Sequence, residues 1–376
     1  MAGTSLQEIL ASRNLIGRVV DIVNGVPEDI LPAGFLTSNR TTEGDRGEYL
    51  RVAGTRQVST ISRYGSPAKH VAPVGIGSTP VKLLHTFEDF THDPTILNLL
   101  IEETGTGLVR QQMARETINR QLEVFGTRFR NLRVSAVMSA LTTGGIAFDI
   151  NGNLLPPDSS TKLINSGAAF AVNFGVPTSN VGSLPIGPAN ANLLTNWTAT
   201  NPNILGQLKA VKKAGRKLTG FPITHAFYGL NIPGYIAADP VLQSIIRGSQ
   251  RIAEEAITAE IPASVGNLKW FPIDQAFFVD QNGVAQDWCD PNTIVFTPDP
   301  STDWWEVIEG TYPVPRSIQL ANDLGAVLGN IQQVTGPFSY AQVTTNPVSL
   351  QHFAGDTFLP ILKNPSAIFI ARVPTS

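Results

Sequence analysis

The nearest approach to reactive chemistry in this 376-residue chain is "HTFEDFTHD", residues 85–93. On a helix His85, Glu88 and His92 would share one face, and two imidazoles with a carboxylate form a ligand set for a divalent metal. The same residues continue a β-prone run and meet Pro94, which works against a helical register, so a polar hinge between two elements is the competing expectation. "TGTGLVRQQ" places Gly105 and Gly107 at a helix start, where free amides could hold a phosphate. No strand precedes them and no third glycine completes a pattern, which leaves a flexible helix entry. The pair Trp304-Trp305 could stack bases or sugars. More often such a pair straddles a sheet edge, with one ring in the core and one at a subunit contact. The only cysteine, Cys289, has no base beside it in sequence and reads as a small packed side chain. A phosphate loop, a G-x-S-x-G nucleophile elbow and an H-E-x-x-H metal helix are all missing from the sequence. The sequence therefore points away from an enzyme, with no catalytic residue, cofactor or metal assigned. A metal-dependent enzyme on His85, Glu88 and His92 is kept as the alternative.

Composition bounds the partners. Charged residues are 15% of the chain, against 33 glycines and 27 prolines, so much of the usual solvated surface is missing, as in a protein covered by other subunits. A net charge of −3 excludes steering to DNA by a strong positive field and leaves only weak contacts by local arginines. A single cysteine rules out an intrachain disulfide framework and fits a reducing cytoplasm. The N-terminus alternates polar and apolar residues, with Leu6, Ile9 and Leu10 on one side of a short amphipathic helix. It has no h-region of a signal peptide. No run of about 18 apolar residues is present, so no membrane span is expected. The sequons at Asn39 and Asn196 are then chance matches.

These residues must be positioned by a few long elements. In residues 57–90, two β-prone runs, Val58 to Tyr64 and Val81 to Phe87, flank a Gly-, Pro- and Ser-rich stretch, predicting a long antiparallel hairpin with an irregular tip. Neither run has a dense apolar face, and an isolated two-stranded ribbon is marginal in water, so this one needs a partner surface from another chain. Residues 106–142 lack proline and place Ile118, Leu122, Phe125, Phe129, Leu132, Ala136 and Ala140 at steps of three and four, the stripe of one long helix. Gly126 lies inside it and marks either tertiary support or a slight bend. The helix stops at Thr143-Gly144-Gly145. A second helix spans about 204–218, with Ile204, Leu208 and Val211 inward. Strands and hairpins follow, including an Asn282-Gly283 turn, and the chain is α+β.

The order of parts resembles the major capsid protein of tailed phages with the Hong Kong 97-type fold, in particular the lambda-like major capsid protein family. "RVSAVMSALTTGGIAFD" is similar to the end of that family's spine helix and the strand it enters. "HAFYGLNIPGYIAADPVLQSIIRG" resembles its aromatic strand, turn and short helix, and "FVDQNGVAQDWCDPNTIVF" its hairpin before an apolar strand. "PILKNPSAIFIARV" is similar in character to its final strand.

That resemblance implies an α+β capsid fold with an N-terminal arm (1–45), an E-loop ribbon (46–92), a peripheral domain with the spine helix (93–203), an axial domain (204–330) and C-terminal strands returning to the peripheral domain (331–376). It implies hexamers and pentamers of identical copies closing an icosahedral shell in the virion, assembled in the host cytoplasm. Scaffold, portal and decoration proteins are candidate partners, with packaged double-stranded DNA held by weak non-specific contact and no membrane. The E-loop reaches over a neighbour in that family, which supplies the ribbon's missing surface. Tyr64, Lys69, Trp304 and Trp305 become candidate inter-subunit contacts. Lys69 is read as a solvated lysine rather than a cross-linking one. The helix arginines Arg110, Arg115, Arg120, Arg128, Arg130 and Arg133 are expected to pair with Glu116, Glu123 or neighbouring subunits, and Arg110, Arg115 and Arg120 are also candidates to face DNA in a lesser role. A nanocompartment shell of the same fold, enclosing protein cargo, is the nearest alternative.

Overall fold

The computed structural model describes residues 19–23, 25, 31–52, 76–92, 95, 107–149, 155, 170–186, 192–248, 261, 263, 265–273, 278–279, 285–286, 289–315, 319–320, 331–345 and 348–375. In chain order the first strands are β1 (Arg40–Thr42), β2 (Arg46–Val52), β3 (Ile76–Lys82), β4 (Leu84–His92), β5 (Gly145–Phe148), β6 (Phe170–Asn173), β7 (Val181–Gly182), β8 (Ile223–Tyr228) and β9 (Lys269–Pro272). Then come β10 (Phe278–Val279), β11 (Ala285–Gln286), β12 (Thr293–Pro298), β13 (Trp305–Pro315), β14 (Gln319–Leu320), β15 (Ile331–Thr335), β16 (Phe338–Thr345), β17 (Val348–Leu362) and β18 (Phe369–Arg372). The helices are α1 (Gly107–Thr143), α2 (Ile204–Thr219), α3 (Ile232–Ala238) and α4 (Pro240–Gly248). Among the described residues no helix is long and apolar enough to cross a membrane.

Two compact units interleave along the sequence: Met1–Gly47 with Val81–Ala136 and Val307–Pro360, and Glu48–Pro80 with Val137–Glu306 and Ile361–Ser376. The first is a sheet in the order β1-β13-β17-β16-β14, with β4 added to β17 and β15 to β13. β17 is its axis, with β16 antiparallel on one edge and β4 antiparallel along nine residues, from Leu350 opposite His92 to Phe358 opposite Leu84. Opposite residues share a face, so Leu84, Thr86, Glu88, Phe90 and His92 lie with Phe358, Asp356, Ala354, His352 and Leu350.

Helix α1 covers that face. Its 37 residues contain no proline and reach about 55 Å. Ile118, Leu122, Phe125 and Phe129 are buried, as are Ala136 and Ala140. Leu132 is only half-buried, and the position sunk in its place is Arg133. Gly126 answers to close approach rather than to a bend, since a Cβ there would come within 2.8 Å of Ile22 in the helical segment 19–23. The helix ends on Gly144 at φ +73, the left-handed conformation that glycine adopts at no steric cost, with Thr143 Oγ donating to the Ser139 carbonyl.

The second unit carries the sheet β7-β18-β12-β8-β9. Its core joins Leu184, Leu194, Trp197, Ile204, Leu208, Val211, Ile223, Phe296 and Phe369. Asn203, at φ 51, caps α2 by accepting from the Gly206 amide, and Gly220 at φ 87 closes its other end. Asp239, fully buried, accepts from the amides of Ile204 and Val241, tying the starts of α2 and α4.

Two expectations need correction. The ribbon pairs β2 with β3, so its second strand ends at Lys82; residues 84–92 form β4 of the main sheet rather than the end of an E-loop or a polar hinge. Val58 to Tyr64, the ribbon tip, Asn282-Gly283 and the N-terminal residues Leu6, Ile9 and Leu10 lie outside the described residues. The final strand β18 pairs antiparallel with β12, so residues 361–376 belong to the second unit instead of returning with 331–360 to the first.

Candidate functional site

Four polar and aromatic contacts run beneath α1 in the first unit, one after another along the helix, three of them backward along β4 and the fourth on β17 opposite Thr86. Gln121 stands near His92, Phe125 meets Phe90 edge-on at 6.2 Å, Arg128 donates to Glu88 at 3.0 Å, and Arg133 reaches Asp356. The order follows from a helix laid antiparallel to the strand.

Arg133 is the deepest of these groups. Its Nε and one terminal nitrogen fork onto Asp356 at 2.6 and 2.8 Å, while that same terminal nitrogen also reaches Glu309 at 2.8 Å, and the guanidinium lies 5.0 Å above the Phe358 ring. Arg133 is 2% exposed and Asp356 0%. Burial alone would lower the guanidinium's pKa; Asp356 and then Glu309 more than offset it and hold the charge above its ordinary range. Helix, β17 and β13 are thereby pinned through one cation.

At the other end of the helix face His92 Nε2 and His352 Nδ1 share a 2.6 Å hydrogen bond, with the rings crossed at 86°. Both are buried, which lowers the pKa to about 4 for His92, where Gln121 opposes slightly, and to about 3 for His352, where His92 adds to the effect. His92 Nδ1 and Gln121 Oε1 complete no hydrogen bond.

The opposite face of the sheet is aromatic. Phe87, 42% exposed, lies 5.7–6.4 Å from Tyr312, Phe338, Tyr340 and Phe353, and Tyr312 stacks on Phe338 at 4.5 Å. Beside α1 a groove of about 590 Å³ opens between residues 88–90 of β4 and residues 121–128 of the helix, with Val124 exposed at its edge.

Strand geometry separates the metal candidates. His85 and His92 are seven positions apart in β4, an odd number, so they point to opposite faces; His85 bonds Thr357 and stacks on Tyr312, while His92 faces α1. They cannot hold one ion together, and among the described residues no group of three or more His, Cys, Asp or Glu side chains is placed to hold a metal. Trp304 and Trp305 are both buried in their own chain, so neither ring is left for a subunit contact. Trp304 precedes the strand, and its indole folds back to donate to the Asp299 carbonyl. Arg133 is not a surface arginine, and Arg128 pairs with Glu88 rather than with Glu116 or Glu123. Arg120 is exposed on α1; Arg110 and Arg115 lie on the same helix. Tyr64 and Lys69 fall outside the described residues. His352, Asp356 and Glu309 were not singled out from the sequence, because their partners lie more than 170 residues away.

No protein-family profile matches the chain, and no curated protein matches it in sequence. Among solved structures it is similar to a protein of an Escherichia coli prophage assigned as the capsid protein, with 10% identity over 96% of this chain and 99% of that one and a TM-score of 0.50. It is also similar to a phage-related protein of Bordetella bronchiseptica, with 10% identity over 95% of this chain and 97% of that one and a TM-score of 0.51. Likeness at such low identity is likeness of fold. The chain has the mixed α+β, Hong Kong 97-type fold of phage capsid proteins.

Proposed function

We propose that this chain is the major capsid protein of a tailed double-stranded DNA phage, assembling as hexamers and pentamers into the icosahedral shell of the virion. The observation that carries this reading is the end-to-end correspondence of fold with a prophage protein assigned as a capsid protein, with almost the whole of both chains matched. Two features of the chain support it. The β2–β3 ribbon is only two strands wide and needs a surface from a neighbouring copy, the role of an E-loop. The low charged fraction suits a subunit whose surface is largely covered by copies of itself.

Its work is mechanical. Many modest contacts between identical subunits sum to a closed shell, with each copy engaging several neighbours at once. Scaffold, portal and decoration proteins are the partners such a shell would take. The genome would be held loosely, since a subunit of net charge −3 releases few counterions from DNA. Exposed arginines on α1 such as Arg120 would supply what contact there is. Sedimentation velocity of the expressed chain tests this: capsomer rings or shell-sized particles are expected, and a single-subunit species at every concentration would refute it.

A further inference from the structure

We propose that the His92–His352 pair is an acid-sensitive latch in the first unit: neutral, it ties the end of β4 to β17 beneath the long helix; protonated, it lets them part. The two residues form a diagonal cross-strand pair, since His352 lies opposite Phe90, two positions from His92. Only one hydrogen fits between Nε2 and Nδ1 at 2.6 Å, so one ring donates and the other accepts. Protonating the accepting ring removes its lone pair and sets two N–H groups head to head. Protonating the donor leaves a buried cation beside its partner.

Among the described residues no anion stands ready to hold that charge. On the same face β4 next offers Glu88, engaged by Arg128, and β17 offers Asp356, engaged by Arg133. On the far side of His352, β16 presents Ala341 opposite and Ser339 near it. The long helix contributes the neutral Gln121, while its sheet-side cations Arg128 and Arg133 lie seven and twelve residues farther on. Asp89 points to the other face of the sheet.

The sign follows from proton uptake. In the unfolded chain each imidazole protonates below about pH 6.5. In the folded one neither does until about 4 for His92 and about 3 for His352. Between those limits the unfolded state binds more protons, so stability is full above pH 6.5 and is lost as pH falls.

The test compares the wild-type chain with the double variant His92→Gln and His352→Asn, whose amides take the places of Nε2 and Nδ1 without titrating. Urea unfolding at pH 7 and pH 5 should show the wild-type folding constant dropping by roughly 20-fold per histidine more than the variant's. Hydrogen exchange should locate the loosening in residues 84–92 and 348–358. His70, His85 and His225 remain in both proteins and cancel in the comparison. Equal pH dependence in the two proteins would overturn the latch. Should the variant not fold, deuterium exchange at the imidazole carbons of the wild type decides: both histidines titrating below pH 5 sustains the proposal, and either one titrating near 6.5 ends it.

Discussion

The two units solve the same problem of internal cohesion with different chemistry. In the first, the long helix is held to its sheet through ionisable groups taken out of water: Arg133 with Asp356 and Glu309, and His92 with His352. In the second, α2 and its sheet close on an aliphatic and aromatic core, and the buried polar side chains are mostly hydroxyls and amides. Asn180 donates to the carbonyls of Ser366 and Ile368, and Gln207 ties Trp197 to Thr195 and Pro202. Asp239 serves as an acceptor for helix amides rather than as half of an ion pair. His225, buried and lowered to about 4, and the buried Glu306 are further ionisable groups in the second unit. Joints between ionisable groups are sensitive to pH, whereas amide, hydroxyl and apolar joints are not, so the first unit is the one whose cohesion depends more on its surroundings.

Removing the cation is the severest way to break this contrast. Arg133→Ala leaves Asp356 and Glu309 facing each other, one of them wholly buried, and should cost about 3–5 kcal/mol in urea unfolding. In the second unit, Asp239→Ala leaves two helix amides without their acceptor and should cost about 1–3 kcal/mol by the same measurement. If the second loss equals or exceeds the first, the contrast between the units fails. The smallest effect sharpens it from the other side. Arg128 and Glu88 also bridge helix and sheet, but with side chains 63% and 34% exposed, so Arg128→Ala should cost at most about 1 kcal/mol and less in high salt. A loss near that of Arg133→Ala would mean that burial is not what distinguishes these pairs.

The sequence disclosed the long helix better than the joints it carries. Ile118, Leu122, Phe125 and Phe129 keep a helical step and share a buried face. The stripe then drifts, and one position past Leu132 the buried residue is an arginine, which hydropathy places outside. Its carboxylates arrive from β13 and β17, 176 and 223 residues away, and no local pattern marks such a pairing. β4 was obscured for a related reason. Its helix-facing side, Leu84, Thr86, Glu88, Phe90 and His92, mixes polar and apolar residues, while Phe87 adds an aromatic to the opposite face, so alternation by hydropathy disappears. Spacing of His85, Glu88 and His92 looked helical only because a helix was assumed. The tryptophan pair misled through alternation, which governs Trp305 inside β13 but not Trp304 in the turn before it.

Assembly is tested most directly by electron microscopy of the purified 376-residue chain, alongside a variant in which residues 53–75 are replaced by a short Gly-Ser turn. The intact chain should give six- and five-membered rings closing into icosahedral particles. The shortened one, keeping β2, β3 and the sheets of both units, should remain folded and soluble without closed shells. Closed shells of normal size from the shortened chain, or only isolated single subunits from the intact one, would contradict the account.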